Sequence, residues 1–186
     1  PIDWADLFDN ANPVEIEIGC GKGTFITQQA TTRTDTNFFG LEWARFYYRY
    51  TADRLRRNGC SGNARMARAE ANWFLTELVP NASVDAVHIY FPDPWPKARH
   101  NKRRLIQPAF LEIVERVLVP GGRVQIVTDH QDYWAHIEPT VDASNLRRVD
   151  YRNYGSAGAG EVVGTNFERK YIEEGRTFNA IAAVKA

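Results

Sequence analysis

Three glycines at alternate positions, Gly19, Gly21 and Gly23, would let the main chain approach a ligand closely, because glycine has no side chain to clash with it. The alternating residues 14–18 predict a strand before them, and the composition after them predicts a helix. A Walker loop requires Gly-Lys-Ser/Thr, whereas Lys22 precedes Gly23 here, and a dinucleotide fingerprint requires a glycine where Thr24 stands. The loop therefore indicates a nucleotide-type ligand, but it fits neither of these two patterns.

Three carboxylates close to predicted strand ends could hold an adenosine group. Glu17 precedes the glycines, and Glu42 follows the apolar run 38–41, where a carboxylate can accept hydrogen bonds from both ribose hydroxyls. Glu70, which precedes Ala71, could accept a hydrogen bond from the exocyclic amine of adenine. Glu42 and Glu70 also fit as ordinary acidic residues at helix N-termini. Together with the glycines, the three acids predict an adenosine-containing cofactor.

The most distinctive segment follows the fourth predicted strand and reads Tyr90-Phe-Pro-Asp-Pro-Trp-Pro-Lys97. Its three prolines stiffen the backbone, which would hold Asp93 and Trp95 in fixed directions at the carboxyl end of the sheet. The whole chain has a formal net charge of +0, but 97–104 contains five Lys or Arg and no acid. This segment predicts a phosphate-binding surface, with an ordinary solvated basic loop as the alternative.

The composition describes one globular domain of 186 residues, with 44% hydrophobic and 25% charged residues. No apolar run approaches the roughly 20 residues of a membrane-spanning helix, which predicts no membrane association. Cys20 and Cys60 are too few for a disulfide framework, no Cys/His cluster suggests a metal site, and a reducing cytoplasm fits best. His88 lies in a predicted buried strand, which favours a role in the core. The chain begins at Pro1 in place of methionine, which favours a trimmed N-terminus.

Strands and helices alternate along the chain. Residues 120–122 are expected to stop one helix, and Glu138-Pro139 to interrupt another that follows Asp129. The alternation predicts an α/β fold with a mostly parallel sheet and helices on both faces, in which ligands bind beyond the carboxyl ends of the strands. Strands are predicted at 14–18, 38–41, before Glu70, and at 84–90, 123–128, 146–151 and 178–184, and helices at 25–30, 44–58, 71–78 and 108–118.

The chain resembles the bacterial tRNA (guanine-N7-)-methyltransferases of the TrmB family over nearly all of its length. The motifs that carry the resemblance are Glu17-Ile-Gly-x-Gly-x-Gly23, Gly40-Leu-Glu42, Pro92-Asp-Pro-Trp-Pro-Lys97, Arg99-His-x-Lys-Arg-Arg104, Thr128-Asp129 and Thr165-Asn-Phe-Glu168. The resemblance implies a Rossmann-like class I methyltransferase fold with a seven-stranded sheet, and a single domain over 1–186 that lacks most of the family's N-terminal extension. Glu70 departs from the family, which more often has Asp or Asn at this position.

The resemblance also implies the activity and the partners. The expected cofactor is S-adenosylmethionine, and the expected substrate is a variable-loop guanine at position 46 of tRNA. A cytoplasmic monomer or homodimer is expected, without an obligatory protein partner, since Trp95 is the bacterial residue at its position.

The family's site roles transfer to matching residues of this chain. Asp93 is expected to be catalytic and also to line the cofactor site. The other expected cofactor residues are Glu17, Gly19, Gly21, Gly23, Glu42, Glu70 and Ala71. Substrate contacts are expected from Lys97, Asp129, Thr165, Asn166, Phe167 and Glu168, and RNA contacts from Arg99, His100, Asn101, Lys102, Arg103 and Arg104.

Methyl transfer to guanine N7 removes no proton from N7, so positioning and electrostatics should dominate catalysis. Asp93, and secondarily Asp129, are expected to accept hydrogen bonds from guanine N1–H and the exocyclic amine. Thr165 and Glu168 also fit a capping box at a helix start. The alternatives are a methyltransferase for a protein side chain or small molecule, and a non-enzymatic RNA-binding module. A dehydrogenase is disfavoured because the third fingerprint glycine is missing.

Overall fold

A seven-stranded β-sheet runs through the computed structural model, which describes residues 1–153, 163 and 166–186. The strands are β1 (Val14–Ile18), β2 (Asn37–Leu41), β3 (Ala64–Ala67), β4 (Val84–Tyr90), β5 (Leu118–Thr128), β6 (Arg147–Val149) and β7 (Asn179–Val184). The α-helices are α1 (Trp4–Phe8), α2 (Thr24–Thr32), α3 (Arg45–Arg57), α4 (Ala71–Leu78), α5 (Pro108–Val117), α6 (Gln131–Asp142) and α7 (Asn166–Glu173). Short 3₁₀ helices occupy Cys60–Gly62 and Ala98–Arg103.

The strand order in the sheet is β3-β2-β1-β4-β5-β7-β6. Strands β1 to β5 pair in parallel, and β7 is antiparallel to both β5 and β6. The order reverses between β1 and β4, so the loops that follow these two strands diverge and leave a crevice at their carboxyl ends. The prediction of a mostly parallel sheet is confirmed.

Helices cover both faces of the sheet, as the sequence predicts. Side chains alternate between the faces along each strand. Ile16 and Ile18 therefore belong to a hydrophobic cluster with α4, α5 and α6, whereas Phe38 packs with α2 and α3 on the other side. None of the helices in the described residues is long and apolar enough to cross a lipid bilayer.

A polar network lies beneath α2 on the second face. Glu15 on β1 accepts hydrogen bonds from His88 Nε2 at 2.9 Å and from both terminal nitrogens of Arg33, at 2.9 and 2.6 Å. Burial alone would raise the pKa of Glu15, but the hydrogen bonds and charges of His88 and Arg33 lower it to about 2. His88 is fully buried with its Nδ1 2.9 Å from the Tyr90 hydroxyl, which confirms its predicted place in the core.

Two predicted boundaries are wrong. Residues 120–122 do not separate a helix from a strand, because β5 already begins at Leu118, which pairs with Val84 across a register shift. Pro139 does not interrupt α6, which continues to Asp142 because Ile137 and Val141 are both buried in the core. The burial of Ile137 and Val141, which lie on either side of the proline in sequence, outweighs the loss of one backbone hydrogen-bond donor at the exposed Pro139.

Two further elements differ from the prediction. The strand predicted at 146–151 is shorter, at Arg147–Val149. Helix α1, which the sequence reasoning missed, begins at an N-cap, Asp3, whose side chain accepts from the backbone N–H of Ala5 and Asp6.

Gly23 provides a test of how tightly α3 packs on the glycine loop. Its φ is 66°, and a Cβ built there would lie 2.3 Å from Thr51 Cγ2. Gly59 has a similar φ of 72°, but no atom of the described part of the chain lies within 4 Å of such a Cβ. We expect Gly59→Ala to lower the free energy of unfolding by about 1–2 kcal/mol through backbone strain alone. Gly23→Ala should cost about 1–3 kcal/mol more through overpacking. Urea denaturation of both variants measures the difference, and equal losses would contradict the packing argument.

Candidate active site

The glycine loop after β1 is held in place by hydrogen bonds from both sides. Gly19 N donates to the Leu41 carbonyl at 2.8 Å, and Gly21 N donates to Glu42 Oε2 at 2.8 Å. From α3, the buried Thr51 hydroxyl donates to the Gly21 carbonyl at 2.7 Å. The loop is therefore fixed before any ligand arrives.

A cavity of about 480 Å³ opens at the carboxyl ends of β1, β2 and β4, in the crevice that the strand order creates. This volume lies within the usual range of small-molecule sites, about 300–1,000 Å³. Of the residues that the sequence assigns to the cofactor or to catalysis, six line it: Gly19, Gly21, Glu42, Glu70, Ala71 and Asp93. Aromatic side chains complete the walls, and the sequence reasoning had not assigned Trp43, Tyr47, Tyr90 or Phe91 to the site.

Glu42 and Glu70 use their carboxylates differently. Glu42 accepts one backbone N–H on each oxygen, from Gly21 and from Ala44, both at 2.8 Å, which leaves each oxygen a free lone pair. Glu70 is the N-cap of α4 and accepts from the backbone of Asn72 and Trp73, so the helix-start explanation for Glu70 is correct, although Glu70 also lines the cavity. Glu42 is thus the carboxylate better placed to receive two hydroxyls.

Glu17 does not line the cavity, although the sequence assigns it to the cofactor. It is almost completely buried. Gly23, which the sequence also assigns to the cofactor, is the N-cap of α2 and does not line the cavity either. The Oε2 of Glu17 has no hydrogen-bond partner among the residues that the structure describes. Burial raises the pKa of Glu17 to about 8.

The loop that carries Asp93 is strained. Phe91 and Trp95 have φ of 54° and 43°, in the left-handed region that large side chains rarely adopt, and each precedes a proline. Such a conformation costs about 1–3 kcal/mol and persists only where the surroundings impose it. The loop holds the exposed Asp93 carboxylate at the cavity wall.

Arg104 is the residue that braces this loop. Only 3% of it is exposed, its Nε donates to the Pro94 carbonyl at 2.9 Å, and its guanidinium lies 4.9 Å from the Tyr133 ring centre. It also forms an ion pair with Asp132 on α6, and this hydrogen bond lowers the pKa of Asp132. The donors of Arg104 are turned into the protein, which argues against the expected RNA contact.

The rest of the basic segment faces solvent. Lys97, Arg99, Lys102 and Arg103 are exposed, and His100 and Asn101 are half-buried. Most of these residues lie on the short 3₁₀ helix Ala98–Arg103, which the sequence had not predicted. The Arg103 guanidinium lies 5.1 Å from the Trp95 ring centre, and both side chains line the cavity. A positively charged surface thus adjoins the cavity.

The residues expected to contact the substrate are only partly placed. Lys97, Asp129 and Glu168 do not line the cavity. Asp129 pairs with Arg176 at 2.7 Å, a partner that nothing in the sequence pattern identified. Glu168 is buried and accepts from Val163 N at 2.9 Å. Thr165 lies outside the described residues, and Asn166 and Phe167 are described only as part of the α7 backbone.

No group of three or more His, Cys, Asp or Glu side chains in the described part of the chain is arranged to hold a metal ion.

Glu17 makes folding stability depend on pH. Its pKa of about 8 in the folded chain exceeds the ordinary value of 4.5, so its stabilising contribution is complete below pH 4.5 and is lost as the pH rises through 8. We expect Glu17→Gln, which mimics the neutral acid, to gain stability relative to the wild type progressively between pH 5 and pH 8. Urea denaturation at several pH values measures this difference. The exposed Glu112→Gln serves as the control, and a difference for Glu17→Gln that is constant with pH would contradict the prediction.

Comparisons with known proteins indicate a methyltransferase. Residues 11–181 match a family described as "Putative methyltransferase". A tRNA (guanine-N(7)-)-methyltransferase of Geobacter metallireducens is 44% identical over 133 residues, which is 72% of this chain and 63% of the relative. The protein of the same name from Streptococcus thermophilus is 31% identical over 97% of this chain and 84% of its own length.

Among solved structures, the 16S rRNA methyltransferase KamB superposes with a TM-score of 0.71 at 15% identity, covering 98% of this chain and 92% of that one. This likeness establishes the Rossmann-like class I methyltransferase fold. The chain spans less than two thirds of the length of the Geobacter relative. From the family match and the relatives together, the chain belongs to the TrmB family of tRNA (guanine-N7-)-methyltransferases.

Proposed function

We propose that the chain transfers a methyl group from S-adenosylmethionine to N7 of a guanine in tRNA, and that this guanine is position 46 in the variable loop. The observation that carries the proposal is one cavity that joins the glycine loop, Glu42 and Asp93 and that borders the exposed basic segment 97–103. The names of the relatives support the substrate and the atom that is methylated. Position 46 comes from the family resemblance.

The cavity suits an adenosyl cofactor that carries positive charge. Glu42 has a free lone pair on each oxygen for the two ribose hydroxyls, and Gly21 offers main chain without a side chain in the way. Glu70 and Asp93 add two more carboxylates to the walls, which complement a sulfonium and an ammonium group. Bound there, S-adenosylmethionine would supply an electrophilic methyl group. Glu17 is buried and does not line the cavity, so its proposed role is to support the glycine loop that it precedes.

The chain's own residues need only orient the guanine and stabilise its charge. N7 attacks with a neutral lone pair and the ring becomes cationic, so no general base is required. Asp93 is proposed to accept from N1–H and the exocyclic amine, and its negative charge favours the positive charge that develops on the ring. Asp129 is proposed to assist at the substrate side, with Arg176 fixing its carboxylate.

The guanine must leave its stack to reach the cavity, because N7 in folded RNA is often engaged in tertiary pairing. Trp95 lies in the cavity wall with the Arg103 guanidinium over its ring, and this pair is proposed to receive the extruded base. The exposed cations Lys97, Arg99 and Lys102 are proposed to hold the neighbouring phosphates. Contacts from 165–168 remain a prediction, as do a cytoplasmic location and the oligomeric state.

The test is nucleoside analysis of tRNA after reaction. Unmodified tRNA or free GTP is incubated with the protein and labelled S-adenosylmethionine, and the product is digested. We expect label only in 7-methylguanosine from tRNA, and loss of label when guanine 46 is replaced by adenine. Label in GTP would indicate a small-molecule enzyme, and tRNA binding without transfer would indicate an RNA-binding module. A labelled guanine elsewhere in tRNA would overturn position 46 alone.

Asp93→Asn tests the electrostatic role in the same assay. Asparagine keeps the shape but not the charge, so we expect turnover to fall about 100-fold or more, as when one preorganised group is lost from an active site. Asp142→Asn on the last turn of α6, which removes an exposed acid outside the cavity walls, should have no effect. Near-normal turnover of Asp93→Asn with unchanged cofactor affinity would contradict the role.

Arg103 and Arg104 are neighbours with opposite expected roles. Arg103→Gln should weaken tRNA binding and leave the free energy of unfolding unchanged. It should also reduce by about 1 the slope of the logarithm of the tRNA association constant against the logarithm of the salt concentration. Arg104→Gln should lower the free energy of unfolding by about 1–3 kcal/mol, because the Pro94 carbonyl loses its donor, and should leave the salt slope unchanged. Measurements of tRNA binding at several salt concentrations, together with urea denaturation of both variants, distinguish an RNA contact from a structural role. A reduced salt slope for Arg104→Gln would show that Arg104 contacts RNA, as the family resemblance implies.

A further inference from the structure

The outward side of α3 carries exposed aromatic residues and unpaired cations, and the active site does not use them. We name Arg45, Phe46, Arg49 and Tyr50 the α3 outer face. Phe46 is 72% exposed and Tyr50 is 40% exposed, and their rings stack with centroids 6.4 Å apart and an interplanar angle of 25°. Neighbouring exposed rings of this kind mark interaction sites more often than single exposed side chains do.

The cations of the α3 outer face are available to a ligand. Arg45 and Arg49 are exposed and make no salt bridge or side-chain hydrogen bond within the described part of the chain. The acid of this surface, Asp53, is occupied by Arg56 and Arg57 at 2.9 and 2.7 Å. Residues 45–57 contain five arginines and one acid in a chain of net charge +0. Positive charge is thus concentrated here as well as in 97–104.

The α3 outer face is continuous with the cavity. Trp43 and Tyr47 line the cavity, and the Tyr47 ring packs edge-on against Phe46 at 5.3 Å. Trp43 is 64% exposed and carries the Arg68 guanidinium 5.2 Å from its ring centre. Arg103 and Trp95 line the same cavity. A large anionic substrate whose base enters the cavity would therefore lie near the cations and aromatic rings of the α3 outer face as well as those of the basic segment.

We propose that the α3 outer face is a second RNA-binding surface, on which an unpaired base of the tRNA stacks on Phe46 and Tyr50 while Arg45 and Arg49 contact phosphates. Aromatic rings beside a positive surface are the combination that binds single-stranded nucleic acid, because every base has a face to stack and every nucleotide carries a phosphate. The charge favours RNA over a protein partner. The inference rests on the proposed function.

Two double variants separate stacking from charge. Phe46→Ala with Tyr50→Ala should raise the Kd for tRNA about tenfold or more and leave the salt slope unchanged. Arg45→Gln with Arg49→Gln should reduce the salt slope by about 1.5, which corresponds to two phosphate contacts. Fluorescence anisotropy with labelled tRNA at several salt concentrations measures both quantities. Calorimetry with S-adenosylmethionine should show unchanged cofactor affinity.

The matched control is Arg147→Gln with Arg148→Gln, which removes two exposed cations at the far edge of the sheet and should not change tRNA binding. Wild-type affinity in both α3 variants, with wild-type methylation intact, would overturn the α3 outer face alone. Failure of the wild type to bind or methylate tRNA would overturn the proposed function itself. A wild-type dimer that Phe46→Ala with Tyr50→Ala converts to a monomer, with unchanged tRNA affinity, would assign the surface to a second copy of the chain and overturn the inference.

Discussion

The carboxylate of Glu42 joins the two loops on which the cavity depends. One oxygen accepts from Gly21 in the loop after β1, and the other accepts from Ala44 at the start of α3. Parallel strands bring these loops to the same edge of the sheet, but only a hydrogen-bonding bridge fixes the distance between them. Thr51 completes the arrangement from α3 by binding the Gly21 carbonyl. The same carboxylate that is proposed to bind the ribose therefore also builds the site that receives it.

Much of this arrangement follows from local sequence. Glycines after an alternating strand, and acids after apolar runs, identified Gly19, Gly21 and Glu42 because the carboxyl ends of parallel strands share one edge. The prolines around Asp93 indicated a rigid loop for the same kind of local reason. The structure places all of these residues at one cavity. Their roles toward cofactor and substrate are proposals.

The features that sequence reasoning missed depend on contacts between distant residues. Arg104 cannot be distinguished from Arg103 by type or spacing, and its contacts with Pro94, Asp132 and Tyr133 turn it inward. Glu17 has the position of a ligand-binding acid, but its side chain is almost completely buried and does not line the cavity. Pro139 is a strong local signal for a helix end that the burial of Ile137 and Val141 overrules. In each case contacts between residues distant in the sequence decided an outcome that the local sequence did not.

Arg104 also determines what the Asp93 loop can do. One guanidinium connects the Pro94 carbonyl to Asp132 on α6, a helix whose Tyr133 and Ile137 are completely buried. A shift of the loop would break these bonds or displace α6, whose inner side chains are packed in the core. The loop around Asp93 therefore has little conformational freedom left to lose when a ligand arrives, so the entropic penalty of ordering it is met during folding rather than at each binding event.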